Sequence, residues 1–176
     1  ENGVLTKAAT RGNGEQGDDV TANVRTIRSV PLKIPITGDA PPPAYLVVRG
    51  EVLYHKQDFA AVNQRQAEQG LPLFINARNS ASGTLKQKDS RMTASRPLTC
   101  YVYGVVASSG IKWETQWDIL NGLRDFVFRV PAEVGFYPTL SDIIQQLPTW
   151  ESHKSHLDYE IDGVVIKLND LKLSGE

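Results

Sequence analysis

Five of the chain's ten prolines fall between Pro31 and Pro43. Each locks φ and removes an amide donor, so neither helix nor interior strand can run through this stretch. It reads as an extended connection, and the chain must build its ordered elements before and after it. On the N-terminal side, Asp18 or Asp19 is placed to cap a short helix through Ile27, with Val20, Val24 and Ile27 on one face. On the C-terminal side, Tyr45–Tyr54 is a strand rich in β-branched residues. Asp58 then opens a helix over Phe59–Gln69, with Phe59, Val62 and Ala67 inward and Gly70 closing it. Pro97–Ala107 reads as a buried strand. Thr115 opens a helix carrying Trp117, Leu120 and Leu123, Ser141 opens another with Ile143, Ile144 and Leu147, and Tyr159–Leu168 reads as a final strand. Strands and helices in mixed order without a βαβ alternation predict an α+β fold with largely antiparallel sheets.

The 176 residues are enough for one domain, and a hydrophobic fraction of 40% supports one core. No apolar run approaches the roughly 18 residues of a membrane span. A single cysteine, Cys100, excludes an internal disulfide framework and fits a reducing compartment. The net charge of −1 leaves no global field to draw the chain to nucleic acid or membrane, so such binding must come from a local patch. The opening Glu1-Asn2-Gly3-Val4-Leu5 reads as a turn and the second arm of a hairpin, which predicts a fragment of a longer protein.

One stretch is locally basic. Asn76–Arg96 holds Arg78, Lys86, Lys88, Arg91 and Arg96 against Asp89 alone, among small residues such as Ser80, Ser82 and Gly83. It reads either as a solvated connection or as a loop whose short side chains let backbone amides approach phosphates. Thr10-Arg11-Gly12-Asn13-Gly14 is either an ordinary glycine turn or one that projects Arg11 toward a phosphate or ribose. In Arg49-Gly50-Glu51 the two charges share one face of a strand. They need either a cross-strand ion pair or a polar ligand. In Glu160-Ile161-Asp162-Gly163-Val164-Val165-Ile166-Lys167, a lysine ends an apolar strand where it can meet a phosphate or simply reach solvent. His153 and His156 lack a third ligand at metal-site spacing, and Cys100 reads as a packed thiol.

The order of these words carries more than any one of them. The arginine-glycine turn, Val48-Arg49-Gly50-Glu51-Val52, Tyr103-Gly104 and Asp162-Gly163-Val164-Val165-Ile166-Lys167 resemble the ordered motifs of covalent nucleotidyltransferases. The words from Ala9 to Gly14 and from Asp19 to Arg28 narrow the likeness to bacterial NAD-dependent DNA ligases. So do Leu71 to Asn79, Ser82 to Leu85 and Thr93 to Leu98. The likeness runs from Glu1 to about Leu171, and is weakest in Gly38–Ala44 and Ser108–Ser155.

The resemblance implies the central part of one adenylation domain, residues 1–176, in an ATP-grasp-like fold incomplete at both ends. It implies an enzyme of DNA replication and repair whose partners are nicked double-stranded DNA, NAD as adenylate donor, and further domains of a parent ligase. A lysine attacks the α-phosphorus of NAD and expels nicotinamide mononucleotide; AMP passes to the 5′-phosphate of the nick; the 3′-hydroxyl then displaces AMP. By the same resemblance Glu51 would hold the adenylate ribose, Tyr103 would stack on adenine and Lys167 would touch the α-phosphate. Asp162 would serve the later chemistry through Mg, Arg11 would contact the adenylate or the nick, and Arg78 the phosphate of adenylated DNA. Lys86, Lys88 and Arg91 join Arg78 as expected DNA contacts. The expected compartment is the bacterial cytoplasm, at the nucleoid.

The departures are specific. No Lys-x-Asp-Gly nucleophile motif occurs within these residues, so the chain as given is not expected to adenylate itself. Lys86 and Lys154 stand where the family commonly has arginine, and Leu157-Asp158 where it has Leu-Pro. Besides the ligase reading stand two others, a non-enzymatic nucleotide- or DNA-binding module and an ATP-dependent or capping-type enzyme. The long ligase-specific words weigh against the last.

Overall fold

The computed structural model of the chain describes residues 1–35 and 41–174. Part of the proline-rich connection, residues 36–40, lies outside the described residues, as do the last two. Before it, Asn2 and Gly3 take φ of 51° and 77°, the turn expected from Asn-Gly, and Val4 then bridges to Lys33. Helix α1 spans only Thr21–Val24. Tighter turns carry the chain on to Ile27, through Thr26 N–H to Asn23 O and Ile27 N–H to Val24 O. Asp19 accepts from the Thr21 amide and hydroxyl at 2.9 and 2.7 Å, and Val20 and Ile27 are buried as the apolar spacing requires.

The centre is an antiparallel ribbon of β1 (Tyr45–Leu53) and β2 (Thr99–Ser109). Val47 pairs with Ala107 and Val48 with Val105; Arg49 pairs with Gly104 and Gly50 with Val102. The two register shifts leave Val106 and Tyr103 as extra residues, and such bulges twist a ribbon and re-aim its side chains. A Cβ on Gly50 would lie 2.5 Å from the Tyr101 carbonyl, so this strand position requires glycine. Among the described residues this ribbon is the one sheet, joined by isolated bridges at Val4–Lys33, Ala9–Asp19 and Thr115–Asp170. The antiparallel expectation holds, on a smaller scale than predicted.

Helix α2 (Lys56–Glu68) begins three residues earlier than predicted. Asp58 sits in its first turn, where a carboxylate suits the helix dipole, and Gly70 at φ 66° follows its end. Val62 is buried and Phe59 packs beside it, whereas Ala67 is exposed, contrary to expectation. Ile27, Tyr54, Val62, Ala81 and Leu98 form one core cluster; Val102, Ile119 and Leu123 form another; Cys100 packs against both. Helix α5 (Gln116–Asp125) carries the second cluster behind a capping box of Thr115 and Asp118.

The next predicted helix is present but differs in its cap and its burial, and the predicted final strand is not. Helix α6 (Leu140–Lys154) starts from Thr139, not Ser141, through a capping box with Asp142, and it buries no residue: Ile144 and Leu147 are exposed. The amphipathic spacing is present, but no described element covers that face. Residues 159–168 form no strand. Val164, Val165 and Ile166 are exposed, because strand identity needs a ladder partner and none of the described segments pairs with them. The segment is tied at its ends instead. Lys56 N–H donates to Asp158 O at 2.6 Å, and the amides of Gln116 and Trp117 donate to the carbonyl and side chain of Asn169. Helix α7 (Leu171–Ser174) follows, with Leu171 packed on the second core cluster.

Candidate adenylate and nucleic-acid site

The basic stretch is not a loop. Asn76 caps helix α3 (Ala77–Leu85) by accepting from the Asn79 amide, and Asp89 caps helix α4 (Ser90–Ala94) by accepting from the Arg91 amide. The small residues serve packing: α3 lies against β1, and Ser80, Ala81 and Thr84 are buried. Thr84 is 0% exposed and holds a polar knot. Its hydroxyl lies 3.0 Å from the Tyr54 hydroxyl and accepts from Arg96 Nη1 at 2.6 Å, while its carbonyl accepts from Thr93 Oγ1 at 2.8 Å. Buried Asn23 donates to the carbonyls of Leu85 and Gln87. The words that carried the resemblance around Asn23, Thr84 and Thr93 are therefore structural words, satisfying polar groups in the core.

Four cations of this stretch, Arg78, Lys86, Lys88 and Arg91, stand on the outside of α3 and α4 and in the turn between them, while Arg96 turns inward to Thr84. Arg78 Nη1 lies 3.6 Å from Asp162 Oδ2, Lys86 Nζ lies 2.9 Å from Asp18, and Arg91 donates to both oxygens of Asp89. Those bonds hold the Asp89 carboxyl below its ordinary range and raise the Arg91 guanidinium. Lys88 makes no ion pair among the described residues.

Arg49, Glu51 and Tyr103 are exposed on the ribbon while Val102 between them in register is buried, so the three belong to its open side. Arg49 and Glu51 form no ion pair among the described residues; of the two expectations for them, the cross-strand pair is absent. Tyr103 stands at the bulge, and its carbonyl accepts from Gln116 Nε2 at 3.3 Å. Lys167 is exposed in the extended segment that also carries Asp162. Arg11 projects from a tight glycine loop. Gly12 and Gly14 take φ of 56° and 98°, Asn13 Oδ1 accepts from the amides of Glu15 and Gln16, and a Cβ on Gly12 would collide with the Gln16 carbonyl. The structure thus brings Arg78 and Asp162 together and puts Glu51 and Tyr103 on one open side. Among the described residues Arg11 and Lys167 form no ion pair with either.

Sequence reading missed an aromatic stack beside this surface. Tyr101, paired with Glu51 across the ribbon, lies 5.1 Å from Tyr159 between ring centroids, and His55 stacks on both at 6.1 and 6.3 Å. The Tyr101 hydroxyl is 3.3 Å from His55 Nε2, and the Tyr159 hydroxyl donates to Glu133 at 3.1 Å. Burial, then the Glu133 carboxylate, pushes the Tyr159 phenol well above its ordinary range; burial raises Tyr101. Burial, with the nearby Glu51 charge, pushes the Cys100 thiol up to about 11, which makes it inert at neutral pH, as a packed thiol should be. No spacing rule links residues 55, 101 and 159; only the run of tyrosines in the second strand hinted at them.

A metal has little to hold it from protein alone. Among the described residues no three His, Cys, Asp or Glu side chains gather. Asp162, with its side chain 94% exposed, is a single carboxylate, the donor set Mg uses when phosphate oxygens complete its shell.

The family model of the NAD-dependent DNA ligase adenylation domain matches residues 1–176. The chain belongs to this family. Curated relatives named DNA ligase include one from Synechococcus sp. (strain WH7803), 44% identical over 98% of this chain and 25% of its own length. Another, from Herpetosiphon aurantiacus, is 44% identical over 99% of this chain and 26% of its own. A third, from Carboxydothermus hydrogenoformans, is 40% identical over 97% and 25%. The chain spans about a quarter of the length of these relatives. Its mixed helix and strand content around a small antiparallel ribbon is consistent with part of an adenylation domain, and none of the described helices is long and apolar enough to cross a membrane.

Proposed function

We propose that these residues form the central part of a single adenylation domain, of the covalent nucleotidyltransferase (ATP-grasp-like) fold, in a ligase that seals nicked duplex DNA with NAD as adenylate donor. The observation that carries the reading is the approach of Arg78 on α3 to Asp162 on the distant Glu160–Lys167 segment. The resemblance gave both residues to the chemistry at the nick, from opposite halves of the sequence.

Glu51 and Tyr103 supply the ribose contact and the stacking surface for adenylate on the open side of the ribbon, Lys167 meets its α-phosphate, and Arg11 meets the adenylate or the nick. Arg78 takes the adenylated 5′-phosphate, where a guanidinium fork matches the oxygens. The chemistry is phosphoryl transfer throughout, so positioning and neutralisation of developing charge do most of the work. Asp162 would hold Mg together with phosphate oxygens, adding positive charge at the reacting centre. Further domains, the attacking lysine and a nucleoid-associated place in the bacterial cytoplasm belong to the same proposal.

The test is lysine-AMP formation from NAD in the complete protein, followed by intact-mass measurement. Glu51→Ala and Lys167→Ala each slow it by two to three decades, about 2–4 kcal/mol of barrier. His153→Ala does not. A wild-type rate in the Lys167 variant removes Lys167 from the site.

A further inference from the structure

A second site shares no wall residue with the first. A cleft of about 770 Å³ opens where α2, the turn after α1, the Ala94–Thr99 stretch and the chain around Val127 and Arg129 meet. Four arginines line it, Arg28, Arg65, Arg96 and Arg129, against one carboxylate, Asp58. None of the residues given to adenylate or to the nick is among its walls.

The local balance is +3 in a chain whose net charge is −1. Among the described residues none of the four guanidinium groups makes an ion pair. Two are held in place: Arg96 lies 5.0 Å over the Phe74 ring and donates to Thr84, and Arg129 lies 5.6 Å over the Tyr101 ring. Arg28 and Arg65 are exposed and donate no side-chain hydrogen bond within the described residues, so their forks are free. Convergence of like charges on one concavity costs energy unless an anion fills it, and guanidinium forks fit phosphate oxygens in pairs. The volume exceeds what one phosphate group fills, and the four arginines come from four separate segments. Several clustered phosphates match both facts.

We propose that this cleft binds clustered phosphate groups, supplied either by a nucleic-acid backbone or by a free oligophosphate. The nucleic-acid source rests on the DNA-ligase reading; the oligophosphate source does not.

The experiment uses inorganic triphosphate as probe and the complete protein at low ionic strength, by isothermal titration. Binding should saturate, weaken at least tenfold in Arg28→Ala/Arg65→Ala, and tighten severalfold in Asp58→Asn. It should persist in Lys167→Ala, which removes the proposed adenylate contact. A parallel salt titration of binding to nicked duplex separates the sources. A DNA backbone in the cleft makes the double variant's log–log slope shallower by about 0.9 per lost contact, and triphosphate then competes with duplex. A free oligophosphate leaves the slope unchanged while triphosphate binding stays arginine-dependent. Neither arm reads ligation, so failure here is distinct from failure of the ligase reading. Triphosphate binding equally tight in the double variant, or absent together with an unchanged salt slope, overturns the proposal.

Discussion

The Arg78 guanidinium stands 3.6 Å from the Asp162 carboxylate, with side chains 75% and 94% exposed. An ion pair so open to water contributes about 0–1 kcal/mol to folding, because solvent screens it and both side chains lose freedom. Stability therefore does not account for the placement. The pair sets a guanidinium fork beside a carboxylate, and under the proposed function a nick phosphate arriving there would exchange with Asp162 for the fork.

Arg78→Ala should accordingly leave the urea midpoint of the complete protein nearly unchanged. It should slow sealing of a pre-adenylated nick at saturating DNA by roughly two decades, the loss of one charge-stabilising contact. Arg78→Lys should recover part of the rate, since it keeps the charge and loses the fork. Single-turnover sealing checks this, and a normal rate for Arg78→Ala takes Arg78 out of the chemistry.

Thr84 should behave in the opposite way, affecting the fold first. Thr84→Val strands the Tyr54 hydroxyl in the core and takes the acceptor from half-buried Arg96 Nη1. Each unsatisfied group costs about 1–3 kcal/mol, whereas Thr84→Ser gives up only a methyl group, about 0.8 kcal/mol. Urea unfolding should rank valine well below serine, and the reverse order would show that the knot contributes little.

The contrast between these residues explains what the sequence made legible. Capping residues and β-branched runs speak locally, so the ribbon, α5 and the end of α2 were readable from Thr115, Gly70 and the Val-rich strand. Helices α3 and α4 were not, because their small and basic residues give no apolar period; their buried faces are Ser80, Ala81, Thr84 and Thr93, of which the two threonines are held by tertiary hydrogen bonds. Residues 159–168 show the converse. Their alternation is that of a strand, but a strand exists only beside a partner, which the local pattern does not specify. Of the candidate site, the residue types were readable from motif order. The Arg78–Asp162 approach, the His55–Tyr101–Tyr159 stack and the four-arginine cleft were not, since each joins segments distant in sequence.

Alkaline pH should loosen the fold. The Cys100 thiol and the Tyr101 and Tyr159 phenols all have folded-state values raised above their ordinary ones. An unfolded chain thus loses these protons first as pH rises, and stability falls with pH in that window. For Cys100 the decline begins near its ordinary value of 9 and runs to about 11. Urea midpoints should be level from pH 7 to 8.5 and fall above pH 9, with a shallower fall in Cys100→Ala. An identical slope in that variant assigns the decline to the phenols.

The cations on and between α3 and α4 should differ in their share of DNA binding, because their partners differ. Lys88 has no ion pair among the described residues, whereas Arg91 is doubly bonded to Asp89 and Lys86 is paired with Asp18. A cation that meets a DNA phosphate releases condensed counterions, about 0.9 per contact in log–log slope. Lys88→Ala should remove close to that full amount from the salt dependence of nicked-duplex binding. Arg91→Ala and Lys86→Ala should remove less, since each cation must share its charge with a carboxylate already beside it. Asp89→Asn should then raise affinity by freeing Arg91 while its side-chain oxygen still caps α4. Salt titrations of the four variants in the complete protein read these differences directly. Equal slopes for Lys88→Ala and the wild type would return this stretch to a solvated basic surface with no hold on DNA.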